Sequence, residues 1–163
     1  MIVVSDTTPM ITLMKAQQLS VLHSLFDEVL VPEAVYQELT ANHLFQSEID
    51  LIQSSAFLTV VSVQDQNAVM LLRMATGLDR GESEAIVYSD ANKADLLLMD
   101  EVAGRRVAKK MGLPVAGSIG VLIEAFKRNV LSRDEFRAAI EDIRLSNRHI
   151  SEKLLDDALS MSD

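Results

Sequence analysis

Acidic residues stand at places along this chain from which they could act together. Asp6 and Asp100 each follow directly on a short apolar run, Ile2 to Ser5 and Leu96 to Met99. Glu82 and Glu84 come just after Gly81, at the start of a helical pattern. Carboxylates brought close together repel and raise each other's pKa unless a cation neutralises them, so such a cluster is expected to bind metal. Oxygen ligands in a chain without cysteine suit Mg2+ or Mn2+ better than zinc. A water on such an ion becomes acidic enough to attack a phosphodiester, and the ion steadies the oxyanions that form. Other chemistries find less support. The lack of cysteine removes thiolate nucleophiles and disulfides, and no serine–histidine pair stands out. His23, His43 and His149 read as ordinary surface or helix residues.

The acids also have plainer roles. An acid after a strand is often a turn residue or N-cap, and acids in a helix's first turn are favoured by the macrodipole. What argues for convergence is the elements that carry them. Short strands are expected at Ile2 to Ser5, Val29 to Val31, Phe57 to Val63, Leu96 to Met99 and Pro114 to Ala116. Their apolar runs are continuous rather than alternating, as in a parallel sheet covered on both faces. Helical signals lie between them: Thr8 with Pro9, Pro32 through Leu39, Val69 to Met74 before Gly77, Gly81 to about Ala91, and Glu101 to Met111 closed by Gly112. A capping box at Ser132 to Glu135 and a cap at Ser151 open two more helices. Strands alternating with helices predict an α/β fold with right-handed crossovers.

In such a fold ligands bind beyond the carboxyl ends of the strands, near the switch in strand order. Asp6 and Asp100 project at that edge. A helix that precedes a parallel strand starts at the same edge, which brings Glu82 and Glu84 there too.

The length and composition bound the rest. The 163 residues are expected to form one domain, with 1–126 as its core and 127–163 as a helical C-terminal extension, a lid or a dimerisation arm. A net charge of −9 argues against non-specific binding of polyanions over the whole surface. Phosphate binding is then expected only where metal neutralises the acids and bases gather. Arg105, Arg106, Lys109 and Lys110 cluster after Asp100, Arg80 precedes the acidic helix, and Lys127, Arg128, Arg144 and Arg148 lie further on. Arg80, Arg105, Arg106 and Lys109 are the candidates for phosphate contacts; a solvated helix face paired with Glu101 and its neighbours is the alternative. Phe45, Tyr36 and Tyr88 form no evident stacking platform. The methionines read as core filler or subunit contacts, and an apolar helical hairpin around Leu13, Leu22 and Leu25 could support a homodimer. No apolar run approaches the ~20 residues needed to span a bilayer, and the start lacks signal-peptide features, so a cytoplasmic protein is expected.

Four stretches carry a family resemblance: Val3 to Pro9, Val31 to Leu39, Leu78 to Ile86, and Leu97 to Ala108. In order and spacing they resemble PIN domains, closest to a poorly characterised prokaryotic branch related to the VapC-type toxins of toxin–antitoxin pairs. The resemblance covers Met1 to about Phe126. It implies a three-layer α/β/α fold around a parallel sheet of about five strands, and a metal-dependent endoribonuclease with RNA as substrate. An antitoxin protein and a homodimer are the partners it suggests. By motif, Asp6 is the first catalytic acid, Glu38 the second, and Asp100 the acid closing the fourth strand. The third is Glu84 by its following Ala85 and Ile86, or Glu82 by its spacing from Asp100; Glu84 is preferred. The second acid depends on the resemblance alone, since topology would sooner nominate Glu33. Glutamate at the third position departs from the aspartate more common in the toxins. Ser5 and Thr7 could add a hydroxyl to the site or serve as turn and capping groups. Two other readings compete: a PIN-like module that binds nucleic acid or protein with little or no catalysis, and a phosphotransfer enzyme. The latter wants a second aspartate two residues after Asp6, where Thr8 stands.

Overall fold

One short valine-rich strand shows how the sheet is covered on both faces. In β1 (Val3–Ser5) Val3 belongs to one hydrophobic core and Val4 to another, because successive side chains of a strand point to opposite faces. The computed structural model describes residues 1–41, 45–146 and 150–163 of the chain. His43, Arg148 and His149 lie outside the described residues.

The elements follow in order: β1, α1 (Thr7–Lys15), α2 (Val21–Phe26), β2 (Val29–Pro32), α3 (Glu33–Leu39), α4 (Gln46–Ser54), β3 (Leu58–Val61), α5 (Gln66–Thr76), α6 (Arg80–Ala91), β4 (Leu96–Leu98), α7 (Val102–Lys110), β5 (Val115–Ala116), α8 (Ser118–Lys127), α9 (Arg133–Leu145) and α10 (Glu152–Ser160). The strands form one sheet in the order β3-β2-β1-β4-β5, and every pairing is parallel. One face packs Val3, Val29, Val31 and Leu98 against α1, α2, α8, α9 and α10, with Met10, Leu13, Leu122, Phe136 and Ile140 at the centre. The other packs Val4, Leu97 and Met99 against Ile86 of α6 and Ala108 of α7. This is a three-layer α/β/α fold, and the expected strands are all in it.

The helix starts differ in detail. α1 begins two residues earlier than the Thr8–Pro9 signal suggests, with Asp6 as its N-cap, and α6 is opened by Asp79 rather than by Gly81. Helices α4 and α8 were not foreseen from the pattern, whereas α2 is the second arm of the expected helical hairpin. Of the hairpin named for a homodimer, Leu13 and Leu22 are fully buried in this chain's own core, and Leu25 is partly buried against it. The methionines divide, Met10 and Met14 filling the core while Met70 and Met74 of α5 are exposed. Among the described residues no helix is long and apolar enough to cross a membrane.

Candidate active site

The strand order reverses between β1 and β4, and this is where an open parallel sheet leaves a crevice at its carboxyl edge. Asp6 follows β1 and Asp100 lies two residues past β4. The Asp6 backbone N–H donates to Leu98 O at 2.9 Å, fixing the first acid beside the end of the neighbouring strand. Its side chain makes no capping bond to α1, although the residue occupies the N-cap position. Asp6 is only 2% exposed. Burial holds its carboxyl well above the ordinary range; the Thr7 backbone N–H opposes this, and the charges of Glu82, Asp79 and Glu38 add to it.

The first turn of α6 supplies the next acids. Asp79 and Glu82 form a reciprocal capping box, Asp79 Oδ1 accepting from the Glu82 N–H at 2.8 Å and Glu82 Oε2 from the Asp79 N–H at 3.0 Å. Burial pushes Glu82 up to about 7, against the lowering effect of its bond from Asp79; the Asp79 and Glu101 charges and a side-chain bond with Glu101 reinforce the rise. Glu84 points elsewhere, as residues two apart lie on nearly opposite sides of a helix. Its Oε2 accepts from the Ala34 N–H at the start of α3 at 2.9 Å, and its Oε1 from Gln66 Nε2 at 3.3 Å. Arg80 pairs with it at 3.6 Å.

Glu38 sits in the last turn of α3 and reaches α6 where Gly81 leaves room. A Cβ at Gly81 would collide with Glu38 Oε1. Glu33 is directed to the β3 side, accepting from Ser62 Oγ at 2.7 Å. Of the two acids on α3, Glu38 is therefore the one whose charge bears on Asp6.

Asp100 is gripped by the start of α8. Its Oδ1 accepts from the Ser118 backbone N–H at 2.7 Å, and the buried Ser118 hydroxyl lies 2.9 Å from Oδ2 and 3.1 Å from Oδ1. Arg105 anchors itself beside this acid by donating from Nη1 to Met99 O at 2.9 Å. A Cβ on Gly117 would stand 2.7 Å from Asp100 Oδ1 and 3.0 Å from Arg105 Nη1, so glycine is what lets the two side chains cross that backbone. The other cations are less well placed. Arg106 and Lys109 are exposed on α7. Arg128 pairs with Glu124, while Arg144 is held by Glu141, Glu152 and Asp156 and joins α9 to α10. Ser5 Oγ donates to Asp6 O at 2.8 Å, and the buried Thr7 hydroxyl has no hydrogen-bond partner among the described residues.

The acids suit a divalent cation in chemistry: oxygen donors only, with a buried carboxyl that neighbouring negative charges make costly to ionise without a counter-ion. Among the described residues, no three of them are already gathered around one point in ligating array. The sequence reading missed several contributors. Asp79 was legible in the Asp79-x-x-Glu82 capping spacing, whereas Glu101, Ser118 and the clearances at Gly81 and Gly117 need the fold before they carry meaning. A family model described as a PIN domain matches residues 2–163. No curated protein and no solved structure matches the chain.

Proposed function

The chain belongs to the PIN-domain family, a nuclease-type fold, and we propose that it is a Mg2+- or Mn2+-dependent endoribonuclease. The observation that carries the reading is Asp6: a carboxylate 2% exposed, at the switch point of the sheet, its side chain not used as a helix cap, and its pKa raised further by the charges of Glu82, Asp79 and Glu38. Asp6, Glu82 and Asp100 are the proposed metal ligands. Glu82 is preferred to Glu84 because Glu84 is already bonded to Ala34, Gln66 and Arg80. A divalent ion there would make a bound water nucleophilic near neutral pH and offset charge building on the phosphate oxygens.

The chain's own residues do the rest. Ser118 fixes the orientation of the Asp100 carboxylate. Glu38, beside Gly81, is placed to orient a water or to accept its proton. Arg105 offers the rest of its guanidinium to a phosphate while Met99 O holds one end. Arg106, Lys109 and Arg80 are proposed as weaker, positioning contacts with the RNA backbone. We take residues 1–163 as one catalytic domain, because α9 and α10 share the core of β1.

A toxin paired with a small antitoxin protein is the proposed setting, in the cytoplasm. Expression of the chain alone should then slow growth, and co-expression of a neighbouring small reading frame should relieve it. One observation favours a second reading, a PIN-like module that binds without cutting: the acids are not pre-gathered. Purified protein incubated with structured RNA and Mn2+, beside an Asp6→Asn, Asp100→Asn double variant, decides between them. Cleavage by the native chain alone supports the enzyme. Cleavage that persists in the double variant sinks the site, and cleavage by neither favours the binding module.

A further inference from the structure

A cleft of about 610 Å³ has Asp100, the acid after β4, in its lining. Asp100 and Arg105 line it together with Ile119 and Ile123 of α8. Ile150, just before α10, and Leu154 in its first turn line it too. We propose that this cleft is a nucleoside-binding site, which seats one unstacked base of a single-stranded RNA next to the phosphate under attack. The inference rests on the nuclease reading for the position of that phosphate, and it assigns the C-terminal extension a part in substrate choice.

The cleft and the acidic site share residues. A phosphate held beside Asp100 and contacted by Arg105 would leave its neighbouring nucleoside within reach of the aliphatic lining. That lining includes aliphatic side chains of α8 and of α10 with the residue leading into it, against which a flipped base can be sandwiched. The volume lies in the range of sites that enclose small organic ligands, about 300–1,000 Å³. Polarity is distributed as a nucleotide requires, with the cation at the phosphate end and hydrocarbon at the base end. A protein segment would gain from the same hydrocarbon but would make less use of a guanidinium beside an acidic metal site. The α10 wall is held in place from outside the cleft by Arg144 of α9, through Glu152 and Asp156.

The chain contains no tryptophan, so a Leu154→Trp variant places a single fluorophore at the cleft, on a side chain 45% exposed that can accept the larger ring. Its emission is followed on adding a short RNA oligomer in the presence of Ca2+, beside an abasic sugar–phosphate oligomer of equal length. Stacking on an aromatic side chain contributes about 1–3 kcal/mol per base, so RNA is expected to bind about fivefold or more tighter than to the native chain and to quench the emission. The abasic oligomer should leave the emission unchanged. Leu154→Ala, with an unaltered circular dichroism spectrum, should bind RNA several-fold more weakly. Opposite signs for the two substitutions separate a base contact from a folding defect. Absence of quenching, equal quenching by the abasic oligomer, or native affinity in Leu154→Ala overturns the proposal and leaves the cleft to another occupant, a peptide included. Since the readout is binding, its failure is distinct from failure to cut: RNA cleavage with an unchanged KM in Leu154→Ala removes the base site and keeps the nuclease.

Discussion

Glu82 and Glu84 are the same residue type, two positions apart on one helix, and 6% and 1% exposed. Their surroundings are opposite. Glu84 has a backbone donor, an amide donor and a guanidinium around it. Glu82 has one backbone donor and otherwise faces acids, and burial holds it near neutral pH. Burial alone therefore does not mark a functional carboxylate. A buried acid with its donors supplied is part of the scaffold, and one pressed against like charge must keep its proton or gain a cation.

The largest expected effect is on turnover. Glu82→Gln and Asp6→Asn should each lower RNA cleavage by about 100-fold or more, at or beyond the loss seen when groups supporting a metal ligand are removed. Glu84→Gln should retain most of the activity of the folded protein. A steady-state assay at saturating Mn2+ reads both, and equal losses at the two glutamates would erase the contrast.

Next comes stability. Glu84→Ala strands the Ala34 N–H and removes the partner of Arg80, so it should destabilise the fold by roughly 2–3 kcal/mol in denaturant titration. Glu82→Gln should cost little, and at pH 8 without metal it should stabilise.

The pH dependence follows from the same contrast. Glu82 has its folded pKa raised from the ordinary 4.5 to about 7, so the folded state keeps a proton that the unfolded chain gives up. Its contribution is fully present below about 4.5 and is lost as pH rises through about 7, a fall of at most about 3 kcal/mol. Asp6, raised by burial and the same acids, acts in the same direction. Melting temperature without metal should thus decline between pH 5 and pH 8, and added Mn2+ should stabilise the protein more at pH 8 than at pH 5. A metal-free protein most stable at pH 8 would contradict the cause assigned to Glu82.

A smaller effect is expected at Ser118. Ser118→Ala keeps the backbone bond to Asp100 and loses the hydroxyl's contacts, which should weaken Mn2+ binding by roughly tenfold. Threonine should restore it where alanine does not.

The sequence was informative where chemistry and topology coincide. Asp6 and Asp100 could be placed because an acid ending a parallel strand has one place to go, and the apolar runs of the strands are unambiguous. The helix starts were harder, because Asp6 caps α1 by backbone position and not by its side chain. The choice between Glu82 and Glu84 was out of reach, since it depends on Ala34 and Gln66, which are distant in sequence. Ser118 was hidden for the same reason: a serine after a short strand gains its role only when α8 meets the end of β4. Leu13 and Leu22 of the first hairpin could not be told from subunit contacts, because a buried face and a subunit face carry the same pattern.

Mn2+ titration by calorimetry of the native chain, Glu82→Gln and Glu84→Gln at pH 8 tests the central claim most directly. The account predicts that Glu82→Gln weakens Mn2+ binding by about tenfold or more, while Glu84→Gln binds as the native chain does. Loss of binding in Glu84→Gln with native affinity in Glu82→Gln would contradict it.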